Sequence, residues 1–433
     1  SFKLRGDSTP PSEQVCIGVI GLGGRAQDLV KTSFNIPEIR ITAICDCFKP
    51  RVDSAMQVFG KAKGWKPYTY PLEMLDKEKL DGVIVATTTH ARGWVSAHAM
   101  IRNIDVYMEK PMALTVEEGR TLVELARKYK RVTQVGTQQR SIPLNNWASD
   151  LVKNGALGKV KKVISANFVG PLKWDENTQY PDSPYTNELW WDLWTNQAVF
   201  RPYHQDLHRG WAKWWDYDGG GTSFGVTGWG AHAYDQIQRG LGTDYTGPVE
   251  IILEEPVQVL PAGKFEPREI SPDETGAPYY PMTKGVTGPR AKVRMKYENG
   301  VELELHYDSD CGPGLGCIFV CENGTIEINR DAVSANPKDI LQSPDKPSEL
   351  TIPETQPHLQ DWVNCIKTRK QCSADIEIGH RSNTLCILVN IAREVGKVGE
   401  VLRWDPKTEK FTNCEEANAL LSRPRRKNYE LPA

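Results

Sequence analysis

Apolar residues arrive in short blocks at the start of this chain. Val15-Cys16-Ile17-Gly18-Val19-Ile20 is an unbroken apolar run, the pattern of a strand buried on both faces. The turn Gly21-Leu22-Gly23-Gly24-Arg25-Ala26 follows and leads into a helical stretch through Ser33. Ile39–Cys45 and Asp81–Thr87 repeat the strand pattern, and shorter blocks at Asp105–Glu109 and Val132–Thr137 flank a helix over Val116–Tyr129. Strands and helices alternating in this order predict a parallel, doubly wound sheet with right-handed crossovers.

The rhythm breaks near residue 140. One more helix, Asn145–Asn154, closes at Gly155, and longer alternating strands follow at Lys159–Val169, Val249–Val259, Arg290–Tyr297 and Val301–Tyr307. Asn299-Gly300 joins the last two, and Asn323-Gly324 joins Gly316–Glu322 to Thr325–Asn329. Asn-Gly supplies the positive φ angles of a tight hairpin turn, so an antiparallel sheet is expected. Helices Gly230–Leu241, Pro357–Thr368 and Gly379–Val398 are expected to cover one face of it.

Composition narrows the classes. At 433 residues, with 39% hydrophobic and 25% charged residues, the chain can bury the cores of two or three domains. Fifty-three basic against 55 acidic side chains give a net charge of −2, which lacks the basic surplus of a general nucleic-acid binder. No apolar run reaches the length of about 18 residues that a spanning helix needs, so no membrane partner is expected. The ten cysteines include no C-x-x-C pair; they read as buried thiols, and no metal is expected. The chain opens on Ser1 rather than Met, so a removed segment is expected. That arm suits export, unpaired cysteines suit the cytoplasm, and the compartment stays open.

The first turn carries candidate chemistry. Gly21 permits a sharp turn, Gly23 clears a path for a pyrophosphate, and Ala26 occupies the position of close helix–sheet packing. The helix beginning at Gly24 and Arg25 offers free N–H groups to phosphate. Asp46 ends the second strand 20 residues after Ala26, the spacing of an acid that binds adenosine ribose hydroxyls. Its charge favours NAD, while Lys49 and Arg51 keep NADP open.

Further along come Thr87 to His90, then Glu109-Lys110-Pro111, Gly136-Thr137-Gln138, Gly155-x-x-Gly158-Lys159 and Gly230-Ala231-His232-x-x-Asp235, with Glu377-x-Gly379-His380 and Arg403-Trp404-Asp405 after them. With these motifs along nearly its whole length, the sequence resembles the glucose–fructose oxidoreductase, inositol dehydrogenase and MocA-type (Gfo/Idh/MocA) superfamily. The polar, proline-bearing start reads as an N-terminal arm over 1–14 and the Arg- and Pro-rich end as a tail over 415–433; the resemblance implies, between them, a Rossmann NAD(P)-binding domain over 15–142 and an α+β domain over 143–414 with a large, mostly antiparallel sheet. It implies tightly held NAD and a homodimer or homotetramer. Thr87, His90, Glu109, Lys110 and Gln138 join Gly21, Gly23, Gly24, Arg25, Ala26, Asp46 and Arg51 as cofactor-site candidates.

By the same resemblance Lys110 is the core catalytic residue. A lysine at the carboxyl end of a parallel strand faces the cofactor crevice, where its amine can bind a substrate hydroxyl and relay its proton. His232 matches the family histidine that joins it. The chain departs from the common D-x-G-x-H pattern, because Gly228 stands where many members carry Asp; either Lys110 and His232 suffice or a group from elsewhere compensates. Asp235, one helical turn beyond His232, is a candidate to orient it or to brace the helix. His98, His306, His358 and His380 read as structural.

An insertion over 171–229 concentrates aromatics. The 56 residues from Trp174 to Trp229 hold eight of the 13 tryptophans. Aromatic faces stack on the C–H surface of sugars, so two or three of these rings, Trp191 and Trp229 among them, are expected to meet substrate while the rest pack. His204, Asp206, His208 and Arg209 are the polar candidates, with His204 and His208 lacking a third metal ligand. The expected function is NAD-dependent oxidation of a carbohydrate or polyol at a secondary hydroxyl. The alternative is a redox-neutral, NAD-dependent glycosidase or lyase working by transient oxidation and elimination. A non-catalytic sensor is a third reading, opposed by the presence of both Lys110 and His232.

Overall fold

A computed structural model describes residues 13–174, 188–222, 224–261, 287–307, 315–330 and 332–432. Most of the N-terminal arm and part of the aromatic insertion lie outside these residues.

The N-terminal sheet contains β1 (Val15–Ile20), β2 (Ile39–Cys45), β3 (Lys66–Tyr68), β4 (Gly82–Val85), β5 (Asp105–Met108) and β6 (Thr133–Val135), in the order β3-β2-β1-β4-β5-β6. Every pair is parallel. The order reverses between β1 and β4, and such a switch point opens a crevice at the carboxyl ends of the strands. β3 escapes the hydrophobic pattern, because Lys66-Pro67-Tyr68 is an edge strand with no apolar run, a place where proline is tolerated.

Strands β1, β2, β4 and β5 are buried on both faces. Ile20, Val83, Val85, Val106 and Met108 meet the helices Thr89–Met100 and Val116–Lys128 on one side. Ile17, Val19, Ile44, Ile84 and Tyr107 meet the helix Gly24–Ser33 on the other. The helix Thr355–Thr368 belongs to this second face as well. The sequence pattern predicts a place on the C-terminal sheet; the helix packs on the Rossmann sheet instead. Leu359, Trp362, Val363 and Ile366 make an apolar stripe that either sheet can satisfy. Gly82 decides between them, because the Trp362 ring lies 2.9 Å from where a Cβ at that residue would stand.

The C-terminal sheet has β7 (Val160–Ala166), β8 (Glu250–Leu253), β11 (Val293–Lys296), β12 (Glu302–Tyr307), β13 (Cys317–Cys321), β14 (Gly324–Asn329), β15 (Ala332–Asn336), β16 (Val401–Asp405) and β17 (Lys410–Phe411). They run in the order β15-β14-β13-β7-β12-β11-β8-β16-β17. Both Asn-Gly hairpins form, β11 with β12 and β13 with β14, and only β7 and β12 are parallel among these pairs. The run Val249–Val259 is two strands, because Pro256 interrupts it; β9 (Gln258–Pro261) pairs separately with β10 (Thr287–Arg290).

The helix Ile376–Val395 joins the halves and is buried along most of its length. The Asp375 side chain caps its start. Arg120, on the helix Val116–Lys128, reaches Glu377 and Glu409 at 2.7 Å each. Among the described residues no helix is long and apolar enough to cross a membrane.

Two elements close over the crevice. The insertion supplies the helices Glu188–Thr195 and Gln205–Gly210 and an aromatic cluster in which Trp191 and Trp194 stack at 4.3 Å. Phe48, just beyond Asp46, packs on Trp190 at 4.9 Å. The tail then straps the insertion to the Rossmann domain. Arg423 donates to the Trp215 carbonyl at 2.6 Å, Tyr429 donates to Asp192 at 2.7 Å, and the Tyr429 ring sits against Trp94.

Candidate active site

A cleft of about 520 Å³ opens at the strand switch point, between the two sheets and beneath the insertion. Gly21, Gly23, Gly24, Arg25, Asp46, Arg51, Thr87, Glu109, Lys110 and Gln138 line it from the Rossmann side; Trp229 and His232 line it from the other.

Its nucleotide end is built from the first turn. Gly21 has φ +85°, and a Cβ there would lie 2.7 Å from the Ala86 carbonyl and the Thr87 nitrogen, so the turn accepts only glycine. A Cβ at Gly24 would meet nothing within 4 Å, and one at Gly23 only Arg51, at 3.9 Å. That open space lies above a ten-residue helix whose N-terminus has no side-chain cap, a cradle that fits a phosphate. Asp46 is buried at the end of β2, accepting from the Leu22 and Phe48 amides at 2.8 and 2.9 Å. Burial pushes its carboxyl up, and the Arg51 guanidinium at 3.7 Å with the two amides pulls it partway back. These residues fit a dinucleotide, with phosphate over Gly23 and Gly24 and a ribose beside Asp46.

Glu109 anchors the opposite end. It accepts from Arg25 Nε at 2.8 Å and Gln138 Nε2 at 3.0 Å, and its own carboxylate binds the Lys110 amide at 3.1 Å. Burial alone would lift its carboxyl, but the charges of Arg25, Lys110 and Arg92 hold it below the usual range. Arg25 and Gln138 thus position the strand end that carries Lys110.

Lys110 Nζ donates to the Gly228 carbonyl at 2.9 Å, bridging the two domains. Burial lowers the proton affinity of its amine, with Glu109 and Asp218 opposing. His232 stands on the first turns of the helix Trp229–Leu241, with Nδ1 buried and unbonded. Burial and the Lys110 charge keep its imidazole neutral. An amine of lowered proton affinity and a neutral imidazole therefore share one cavity.

The remaining candidates lie off the cleft wall, and each has a physical reason. Ala26 packs inside its helix. His90, fully buried, bonds the Trp194 carbonyl through Nε2 at 2.7 Å and so clamps the insertion instead of meeting a cofactor. His208 sits among Phe48, Trp190, Trp194 and Tyr203. Trp191 is buried in the same cluster, its indole N–H on the Arg201 carbonyl. His204 is buried outside the cleft lining, Arg209 is exposed, and the Asp206 side chain lies outside the described residues. Asp235 holds Arg140 at 2.7 Å and accepts from Ser382, so it braces the domain interface and does not orient His232.

Sequence reasoning missed two polar cleft residues, Asp218 and Arg330, and did not single out Trp194 and Trp211 among the insertion's rings. Asp218 is fully buried, its two oxygens taking the hydroxyls of Thr89 and Thr227. Its available signal was the pair Asp216-x-Asp218 before Gly219-Gly220-Gly221. Among the described residues, one group, Asp361, Cys365 and Cys372, brings ligand atoms together at metal spacing; none of the three lines the cleft.

Fold and cleft define a protein of two sheet-based domains whose shared cleft fits a dinucleotide. The chain belongs to the Gfo/Idh/MocA family: residues 15–137 match its NAD-binding Rossmann domain, and residues 145–267 and 284–431 match its C-terminal alpha/beta domain. The rhizopine catabolism protein MocA of Rhizobium meliloti is 28% identical over 160 residues, 37% of this chain and 47% of that protein. An alpha-N-acetylgalactosaminidase of Shewanella oneidensis is 26% identical over 179 residues, 38% of this chain and 37% of that one. The chain therefore aligns with less than half the length of either relative. The WlbA dehydrogenase of Bordetella pertussis, solved with NADH and UDP-GlcNAcA, shares the fold, with a TM-score of 0.57 at 15% identity over 89% of this chain and 98% of that one.

Proposed function

We propose that this protein is an NAD-dependent oxidoreductase acting on a secondary hydroxyl of a carbohydrate or polyol, with Lys110 and His232 handling the hydroxyl proton. One observation carries this reading. Lys110 and His232 enter, from different domains, the same cleft that holds Gly21, Gly23, Gly24 and Asp46. When bound there, the nicotinamide supplies the acceptor for the carbinol hydrogen and its electron pair. The amine of Lys110 takes the hydroxyl proton, and its lowered proton affinity keeps that transfer reversible. His232, held neutral, presents a hydrogen-bonding ring to the same oxygen. Trp194, Trp211 and Trp229 give the cleft aromatic walls suited to a sugar ring. Asp46 supports NAD over NADP, since its carboxylate would repel a 2′-phosphate.

A second reading, a redox-neutral glycosidase, is favoured by the closure of the cleft. The insertion packs on Phe48 and the tail straps it down, an arrangement suited to a cofactor that stays bound and is regenerated in every turnover. The resemblance to the Shewanella glycosidase points the same way. One experiment separates the two: the purified protein is offered a panel of polyols, sugars and aryl glycosides while reduced nicotinamide and released phenol are followed together. Accumulating NADH supports the oxidoreductase, and phenol release without it supports the glycosidase. Bound NAD with neither product overturns both.

A further inference from the structure

The backbone at Gly228 leaves no room for a side chain. A Cβ there would stand 1.9 Å from the Thr222 carbonyl oxygen, which the insertion lays across that position. The Gly228 carbonyl instead takes the Lys110 ammonium. Ten residues earlier, the same insertion delivers Asp218 to the wall of the cleft, at 0% exposure. The hydroxyls that hold it come from both halves of the molecule: Thr89 at the start of a Rossmann helix, and Thr227 next to Gly228. Hydroxyls carry no charge, so a buried carboxylate held by them needs a cation nearby. Burial pushes the Asp218 carboxyl up, and the two hydroxyls with the charges of Arg92 and Lys110 pull it back; Arg423 is a further cation that feels its charge, with its guanidinium on the Trp215 carbonyl. Arg92 spends its guanidinium on the Thr87 and Pro111 carbonyls, which leaves the Lys110 amine as the movable proton carrier.

We propose that Asp218 is the positioning carboxylate of this active site, supplied by the insertion that denies a side chain to residue 228, and that it acts by stabilising the proton on Lys110. The inference rests on the reading of Lys110 as the group that exchanges the hydroxyl proton. In that step the substrate O–H bond breaks, an N–H bond forms on Lys110, and the ammonium so formed is held beside the Asp218 carboxylate. The reverse reaction returns the same proton. The other groups facing Lys110 are Glu109 on its own strand end, Arg25 and Arg92 on the Rossmann helices, His232 on the helix Trp229–Leu241 and Cys386 on the helix Ile376–Val395. Of these, Glu109 is already tied to Arg25, so Asp218 is the anion whose removal Lys110 feels without loss of its anchor.

Asp218→Asn tests this. Competitive amine labelling with peptide mass spectrometry reads the titration midpoint of Lys110 in the whole protein, without substrate. Losing a neighbouring anion is expected to lower that midpoint by about one pH unit or more. The acid limb of kcat for alcohol oxidation is expected to move to lower pH by the same amount, because Lys110 then stays neutral to lower pH. Asp218→Glu is expected to restore both. Should the amide variant fail to fold, Asp218→Ser, uncharged and still able to bond one threonine, carries the same expected shift. A Lys110 midpoint and a pH limb that match the parent in the uncharged variants overturn the role of Asp218. Failure of the underlying reading looks different: Lys110→Ala would leave turnover intact even though Asp218→Asn shifts the Lys110 midpoint.

Discussion

Replacing His208 with phenylalanine is expected to stabilise the protein in mild acid while changing it little at neutral pH. The imidazole is 5% exposed. It is ringed by Phe48 at 5.0 Å, Trp190 at 5.3 Å and Trp194 at 5.6 Å, and its Nε2 has no hydrogen-bond partner. Burial, with smaller help from the charges of Arg51 and Arg209, pushes its pKa down to about 3. An unfolded histidine takes up a proton near pH 6.5. Between those two values the unfolded chain binds a proton that the folded one refuses, so stability falls as the pH falls. The slope is about 1.4 kcal/mol per pH unit for one such group, or about 2 kcal/mol lost by pH 5. Phenylalanine fills an aromatic site without titrating, at a cost or gain of about 1 kcal/mol at pH 7. Urea unfolding at pH 7 and pH 5, followed by tryptophan fluorescence, measures the difference. The parent stays acid-sensitive through His90 and His358, both held near pKa 4 by burial, so the comparison isolates His208. Equal acid sensitivity in variant and parent would refute the argument.

Three further outcomes follow from the geometry. Gly21→Ala places a methyl 2.7 Å from the Ala86 carbonyl at a positive φ; it is expected to cost about 1–3 kcal/mol of stability and most of the NAD affinity, read by unfolding and by nucleotide titration. Trp362→Ala empties the space behind Gly82 and is expected to cost about 3–5 kcal/mol in urea unfolding while leaving KM unchanged, since the residue is remote from the cleft wall. Tyr429→Ala removes the ring contact with Trp94 and one of the tail's two side-chain holds on Asp192, leaving that of Arg426; stopped-flow measurement is expected to find NAD leaving several-fold faster, and an unchanged rate would mean that this part of the strap does not retain the cofactor.

How much of this was legible in the chain depends on the range over which each feature is encoded. Gly21, Gly23 and Asp46 sit in one strand–turn–helix–strand unit, so their spacing alone placed them together. Lys110 was placed in the cleft because the end of a parallel strand dictates where its last side chain goes. The asparagine–glycine hairpins were equally local. Beyond the pattern-poor strand Lys66–Tyr68 and the run broken at Pro256, the failures are questions of partner. Asp235 meets Arg140, and His90 meets Trp194; each pair spans about a hundred residues, and no periodicity records it. The stripe on Thr355–Thr368 announced a buried face without saying which sheet would receive it. Asp218 stayed hidden because its neighbours come from the Rossmann helix and the far end of the insertion. Most of the tryptophans build the insertion, and only Trp194, Trp211 and Trp229 of that segment reach the cleft.

The central claim is that Lys110 exchanges the substrate proton in a cleft whose nucleotide end does not depend on it. Lys110→Ala, measured for both NAD affinity and turnover on the best substrate of the panel, tests it most directly. Turnover is expected to fall by about 10²- to 10⁴-fold while NAD affinity stays within about threefold. Undiminished turnover with NAD bound would contradict it.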